Sequence, residues 1–353
     1  MDSSKNPRVS IIILNWNGWE DTVECLESLY QITYKNYDLI LVDNGSENNS
    51  VDRIKEYCKG KIKVKSRFFE YSDKNKPIKI KIIEYTRNEV ENINEGEIED
   101  FEDLPSNRKL IVIKNDKNYG FSMGNNIAIR YSIKSLNPDY ILLLNNDTVV
   151  DPKFLNELVK VAECDAKIGF TGPKIYYYTN DNIINFAGGR ISMWKGRTYH
   201  IGVNEIDTGQ YDEIKEVDYV EGSCMLIRGE ILNKIGLLDP DYFAYWEEID
   251  FCVRGFKAGY KSVYVPTAVI WHKISGSYDD IFNSAKIYLM TRNRILFMKK
   301  NARWVYRITF IPFFAVDVAS TIFIIFKIKK RNPHALINSL KAIIKGTVKG
   351  VMA

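Results

Sequence analysis

Val9-Ser-Ile-Ile-Ile-Leu-Asn-Trp-Asn-Gly18, followed by Leu39-Ile-Leu-Val-Asp-Asn-Gly-Ser46, decides the fold. Residues 9–14 are almost unbroken in their apolar character, which predicts a strand buried on both faces, as in a parallel sheet. Asn15-Trp16-Asn17-Gly18 breaks the run, and residues 21–30 predict a helix with Val23, Leu26 and Leu29 on one face. A second buried strand, 39–42, ends at Asp43-Asn44-Gly45-Ser46. Two β-then-α units in succession predict a doubly wound α/β sheet, whose ligands sit at the carboxyl ends of the strands. Asn15, Trp16, Asn17 and Asp43 all fall at that edge.

Working outward, core patterning resumes at 110–113, and Asn118-Tyr119-Gly120-Phe121 leads into a helix over 125–134. A buried strand over 140–144 ends in Asn145-Asn146-Asp147, and Pro152 opens a helix with Phe154, Leu155, Leu158 and Val159 apolar. Residues 60–108 are rich in Lys, Glu and Asn and read as an insertion. Its 61–64 and 78–83 segments alternate as exposed strands of a hairpin do, ahead of an acidic loop at 89–103. Beyond 278 the sheet pattern stops: 281–300 reads as helix, 308–326 is mostly apolar, and 335–349 is an amphipathic helix. The expected division is a domain over 1–278 and C-terminal helices over 279–353.

Composition narrows the class. Of 353 residues, 45% are apolar and 27% charged, the balance of a soluble core with a solvated surface. A net charge of +4 is too small to argue for a nucleic-acid partner. The five cysteines are widely spaced without a C-x-x-C pair, which disfavours zinc and a disulfide framework and fits a reducing compartment. Residues 1–8 contain no apolar run of a secretory signal, so a cytoplasmic protein is expected. The 308–326 run is about long enough for a ~30 Å hydrocarbon core. Pro312 and Asp317 interrupt it, however, and basic clusters flank both ends, so the positive-inside asymmetry is absent. Helices lying in the membrane interface are the favoured expectation. A soluble helical appendage and a single spanning helix are the alternatives.

The candidate chemistry sits on acids. Asp147, closing a buried strand, can bind Mg²⁺ or Mn²⁺ and so hold a nucleoside diphosphate, or can simply make a turn. Asp43 can accept from a uracil or thymine imide, or cap the turn between strand and helix. Glu247, Glu248 and Asp250 open a probable helix; crowding and burial would raise a carboxyl there toward the range of a general base. The same acids could complement the helix dipole, and Asp250 could pair with Arg254 one turn on. His272 is a metal ligand or a core histidine. The chain has no G-x-G-x-x-G after its first strand, no G-x-x-x-x-G-K-[ST] and no G-x-S-x-G. That disfavours a dinucleotide oxidoreductase, a P-loop ATPase and a nucleophile-elbow hydrolase.

Taken in order, these segments, with Gly172-Pro-Lys-Ile175, Phe186-Ala-Gly-Gly189, Gly222-Ser-Cys-Met-Leu-Ile-Arg228, Tyr245-Trp-Glu-Glu-Ile-Asp-Phe251 and Trp271-His272, resemble family-2 glycosyltransferases of the GT-A fold, especially the rhamnosyltransferase-like branch. The resemblance covers residues 8 to about 278 apart from the insertion. It implies a GT-A sheet with helices on both faces, to which the C-terminal helices read above add a membrane-associating appendage. It implies that Asn15, Asn17 and Asp43 line a nucleotide pocket, and that Asn118, Gly120 and Asn126 wall the donor sugar and phosphates. Asp147 matches the last acid of the family's metal-binding DxD, Asn145 standing where many members have Asp, and His272 matches a further metal ligand. Glu248 falls where the family places its catalytic base, with Glu247 and Asp250 beside it as substrate-binding residues. The implied reaction is inverting transfer, with Mg²⁺ or Mn²⁺, from dTDP-rhamnose or a UDP-sugar to a lipid-linked or polysaccharide acceptor. The expected place is the inner face of the cell membrane, with a homo-oligomer left open. A sugar nucleotidyltransferase would want a Gly-rich basic loop where 15–18 stand, and a non-catalytic scaffold subunit would not need the acids.

Overall fold

The structure is a computed structural model that describes residues 6–85, 104–274, 283–329 and 333–353. The two opening strands are β1 (Val9–Asn15) and β2 (Tyr37–Asp43), parallel and in register, so that Asn15 stands beside Asp43. Every residue of β2 is buried, which requires cover on both faces of the sheet. Next come β3 (Lys79–Tyr85), β4 (Lys109–Asn115), β5 (Tyr140–Asn145) and the short β6 (Thr148–Val150). They are followed by β7 (Ile168–Tyr177), β8 (Asn180–Phe186), β9 (Gly189–Ser192), β10 (Arg197–His200), β11 (Lys215–Val217), β12 (Cys224–Arg228) and β13 (Lys261–His272). The main sheet runs β11-β13-β7-β12-β5-β1-β2-β4-β3, while β9 and β10 form a separate hairpin. Strands β5, β1, β2, β4 and β3 are mutually parallel. β12 runs antiparallel to both β5 and β7, so its amino end lies beside the carboxyl end of β5. That places the residues just before β12 at the ligand-binding edge.

The helices that follow the strands are α1 (Trp19–Leu29), α2 (Ser50–Cys58), α3 (Gly120–Ser135) and α4 (Phe154–Cys164). α3 starts five residues before the expected 125, just after an Asx turn in which Asn118 Oδ1 accepts from the Gly120 N–H at 2.8 Å. The 60–108 segment also departs from expectation. Residues 61–64 form no strand, and 79–85 pair parallel with β4 rather than in a hairpin. The segment therefore supplies the sheet's last strand, with Ile80 and Ile83 packed against the core. The acidic stretch 89–103 lies outside the described residues.

The C-terminal part is less separate than its sequence suggests. α5 (Glu247–Lys257) precedes β13, and α6 (Ser284–Asn301) follows it. Ile295, Leu296, Phe297 and Met298 of α6 belong to the central core, as do Ala302 and Phe310 beyond it, so this part packs onto the sheet domain. α7 (Trp304–Lys329) and α8 (Pro333–Met352) complete the chain. α7 is long and apolar enough to cross a membrane. Its middle argues against doing so: Asp317 accepts from Arg197 Nε of β10 and Arg294 Nη2 of α6, each at 2.7 Å. A spanning helix would carry Asp317 into the hydrocarbon, out of reach of β10. α7 therefore lies along the globular body, with Ile308, Ile311, Val316 and Phe323 exposed, as are Ile344 and Val348 of α8.

Candidate active site

At the carboxyl end of β1 and β2 the polar side chains bond to one another. Asn15 is fully buried; its Nδ2 donates to Asp43 Oδ1 at 2.8 Å and to Ser46 Oγ at 3.2 Å, and its Oδ1 accepts from Thr22 Oγ1 at 2.9 Å. Asp43 is only 2% exposed and also accepts from Ser46 Oγ at 2.6 Å. The two residues are therefore a bracket behind the pocket, where an exposed lining was expected. Asn17, in the left-handed region at φ 57°, accepts from the backbone N–H groups of Glu47 and Asn48 and props the next loop. Trp16 between them is 55% exposed and lines the cleft.

A cavity of about 500 Å³ opens here, lined by Trp16, Asn44, Asn118, Gly120 and Phe243. Asn44 organises it, donating to Asn118 Oδ1 at 3.0 Å and to the Gly120 carbonyl at 3.1 Å. Gly120 has φ +77°, and a Cβ there would sit 2.5 Å from the Phe243 carbonyl oxygen, so only glycine fits. Asn118 and Gly120 both line this cavity. Asn126 does not: it is buried and exchanges two hydrogen bonds with the Leu238 backbone, at 2.7 and 3.1 Å. It clips α3 to the loop before α5, away from the cavity.

A second cavity of about 550 Å³ shares Phe121, Ala244, Tyr245 and Lys286 with the first. It holds Glu221, Glu247, Glu248, His200 and His272. The backbone entering α5 is strained: Phe243, Tyr245 and Trp246 have φ 64°, 69° and 78°. Non-glycine residues adopt such angles only when their surroundings enforce them. The enforcing group is Asn293 of α6, whose Nδ2 lies 2.8 Å from the carbonyls of Tyr242, Ala244 and Tyr245. The turn aims Glu247 and Glu248 into the cavity, where one carboxyl oxygen of each lacks a hydrogen-bond partner among the described residues. Burial, and after it the charge of Glu221, pushes the Glu248 carboxyl up to about 7. Glu247 is pushed up by burial and by the charge of Glu248. Asp250 points elsewhere. It is 2% exposed, accepts from Arg254 Nε at 2.7 Å and Asn301 Nδ2 at 2.7 Å, and thereby ties α5 to α6. Its expected place at the substrate gives way to the pairing with Arg254.

Asp147 and His272 do meet, across the short β6–β13 pairing: His272 Nε2 is 3.1 Å from Asp147 Oδ1. Burial alone would raise the Asp147 carboxyl, but His272 and Lys273 outweigh it and hold it below its usual range. Burial would likewise lower the His272 imidazole, and the Asp147 charge raises it instead. Glu221 Oε1 lies 4.0 Å from the other ring nitrogen of His272. Among the described residues no three acid, histidine or cysteine side chains converge on one ion position. Asp147 and His272 are joined by a hydrogen bond; to hold a divalent ion together they would have to give up the proton between them and share the ion with the substrate. Asn146 is turned away, donating to Gly18 O and Thr22 Oγ1.

Sequence reasoning missed Glu221, Asn44, Asn293 and Lys286. Glu221 had a signal: it immediately precedes the Gly222–Arg228 motif at the amino end of an antiparallel strand. Another cleft, about 640 Å³ and lined by Pro7, Asp139 and Arg228, lies at the opposite, amino end of the parallel strands, where sheets of this kind do not bind their ligands.

The fold is GT-A. It is shared, at 11% identity and a TM-score of 0.55, with a mannosyltransferase from Pyrobaculum calidifontis in complex with GDP-Man and Mn²⁺, over 99% of this chain and 88% of that one. It is also shared with GalNAc-T7, solved with UDP, GalNAc and Mn²⁺, at 15% identity and a TM-score of 0.53, over 83% and 51%. Two family models match, glycosyltransferase like family 2 over residues 81–306 and glycosyl transferase family 2 over 10–76, and the chain belongs to this family. Among its relatives are an N-acetylglucosaminyl-diphospho-decaprenol L-rhamnosyltransferase of Mycobacterium tuberculosis, 41% identical over 144 residues, and a rhamnosyltransferase of Escherichia coli, 27% over 169. A low-salt glycan biosynthesis hexosyltransferase of Haloferax volcanii is 28% identical over 179 residues. These alignments take in 38%, 46% and 51% of this chain, and span only 47%, 62% and 57% of the respective relatives.

Proposed function

We propose that this chain is an inverting glycosyltransferase that moves a sugar from dTDP-rhamnose or a UDP-sugar to a hydroxyl of a lipid-linked or glycan acceptor. The observation that carries this reading is the pair of joined cavities. One is aromatic at its rim and of a size for a nucleoside; the other holds a half-buried carboxylate whose free oxygen titrates near neutrality. The nucleoside lies against Trp16, Asn44 and Asn118, and the sugar reaches toward Glu248. Glu248 takes the proton of the acceptor hydroxyl, and the acceptor oxygen bonds to the anomeric carbon. The bond from that carbon to the diphosphate breaks on the opposite face, so the configuration inverts. Asp147 and His272 would hold the Mg²⁺ or Mn²⁺, which when bound supplies charge neutralisation for the departing diphosphate.

Thermal unfolding tests the reading. UDP or dTDP with Mn²⁺ should stabilise the protein by about 2.7 kcal/mol at a hundredfold excess over Kd. Asp147→Ala should lose the Mn²⁺-dependent part of that shift. A wild-type protein that no nucleotide stabilises would return the chain to the scaffold reading.

The exposed apolar residues of α7 and α8, with the exposed Lys341, Lys345 and Lys349 of α8, support attachment to the cytoplasmic surface of a membrane. Washing membranes with high salt and then with alkaline carbonate should release the protein at least partly. Retention through both washes would argue for a spanning helix and against the Asp317 clamp.

A further inference from the structure

We propose that Lys286, in the first turn of α6, is the cation that receives the diphosphate of the donor; this rests on the transferase reading above. Among the residues lining the two cavities, Lys286 is the one lysine or arginine, and it lines both. It stands at their junction with Phe121, Ala244 and Tyr245. A nucleoside-diphosphate sugar with its base in one cavity and its sugar in the other must carry its phosphates through that junction. Three carboxylates, Glu221, Glu247 and Glu248, line the sugar side. A dianionic diphosphate approaching them needs a fixed positive charge as well as any divalent ion.

The lysine is placed for this. Its Nζ lies over the Tyr245 ring, 5.5 Å from the centroid, and it joins no ion pair among the described residues. The ammonium therefore has its hydrogen-bond donors to give to a ligand, where Lys273 and Lys300 already spend theirs on carboxylates. Asn283 and Ala285 of the same helix start also line the nucleoside cavity, and α6 is long enough for its amino end to favour an anion. Asn293, two turns on, fixes the helix to the turn that carries Glu248. Lys286 and the base are thus held at a set distance by one element.

Calorimetric titration of wild type, K286M and K286R with UDP, dTDP, uridine and thymidine, in Mg²⁺, tests the assignment. A charge-assisted contact to phosphate predicts that K286M weakens the diphosphates by roughly 10–100-fold. Both nucleosides should bind as in wild type, and K286R should recover most of the loss. K286M that binds the diphosphates as tightly as wild type would overturn the role of Lys286 alone. Equal weakening of nucleosides and diphosphates would overturn it too, marking a general distortion of the pocket. A wild-type protein that binds neither diphosphate would overturn the transferase reading itself.

Discussion

Glu248→Gln should leave donor binding intact and slow sugar transfer by roughly 10²–10⁴-fold, the usual contribution of a positioned general base. The amide keeps the size of the carboxyl and its place at the start of α5, so the cavity is preserved while the proton acceptor is lost. The pH profile gives the sharper test. With its carboxyl pushed up to about 7, the wild-type rate should rise through neutrality as Glu248 ionises, then level off. The variant should lose that rising limb. Stability should move the opposite way. The folded protein keeps a proton on Glu248 that the unfolded chain, with the ordinary value of 4.5, releases earlier. Between those two values the native state binds more protons, so wild-type stability falls as pH rises through the window. Glu248→Gln should escape that part of the fall. Thermal melts at pH 5 and pH 8 would show it as a narrowing difference between the two melting points. Glu247 is the rival base, coupled to Glu248 so that the pair loses its protons in two steps. Wild-type transfer by Glu248→Gln would move the role to Glu247.

Much of this site was legible because its signals are local. An apolar run followed by a polar break gives a strand and its carboxyl edge, and β1, β2 and β5 lie where those runs predicted. Asn118 and Gly120 stand on such an edge, after β4, whereas the acids opening α5 follow a turn and were legible as a charge cluster. Hydrogen-bond partners were not legible, because they come from residues far along the chain. Asn15 and Asp43 are close in kind to pocket-lining residues, yet their register brings them together and turns them inward. Asn126 finds the backbone of Leu238, and Asp250 finds Asn301 as well as the nearby Arg254. The packing of the C-terminal part was the least legible. Residues 281–300 lack the period-two pattern of the sheet, which made them look like an appendage, although one face of α6 completes the core.

Asn293→Ala follows from that last point and should be the most damaging change outside the cavity lining. It deletes the donors to three carbonyls of the turn before Glu247. Tyr242 O keeps the Ala244 N–H as a partner, and leaving the part-buried carbonyls of Ala244 and Tyr245 unpaired costs up to about 1–3 kcal/mol each. The positive φ angles at Phe243, Tyr245 and Trp246 carry about 1–3 kcal/mol of strain apiece that the clamp now offsets. Relaxation of the turn relieves part of both costs, so a net loss of about 2–4 kcal/mol is expected, read as a lower melting temperature. A support role alone would stop there. Positioning of the base predicts more: kcat should fall at least about tenfold, as a small misplacement of a catalytic group does, while affinity for UDP and dTDP changes little. Asn293→Asp separates the effects again, because a carboxylate has no hydrogens for the carbonyls and should do as badly as alanine despite matching the volume. If Asn293→Ala melts earlier yet turns over at the wild-type rate at a temperature where it is folded, the strained turn is not what aims Glu248. The C-terminal helices would then have no hand in the chemistry beyond the contacts at the start of α6.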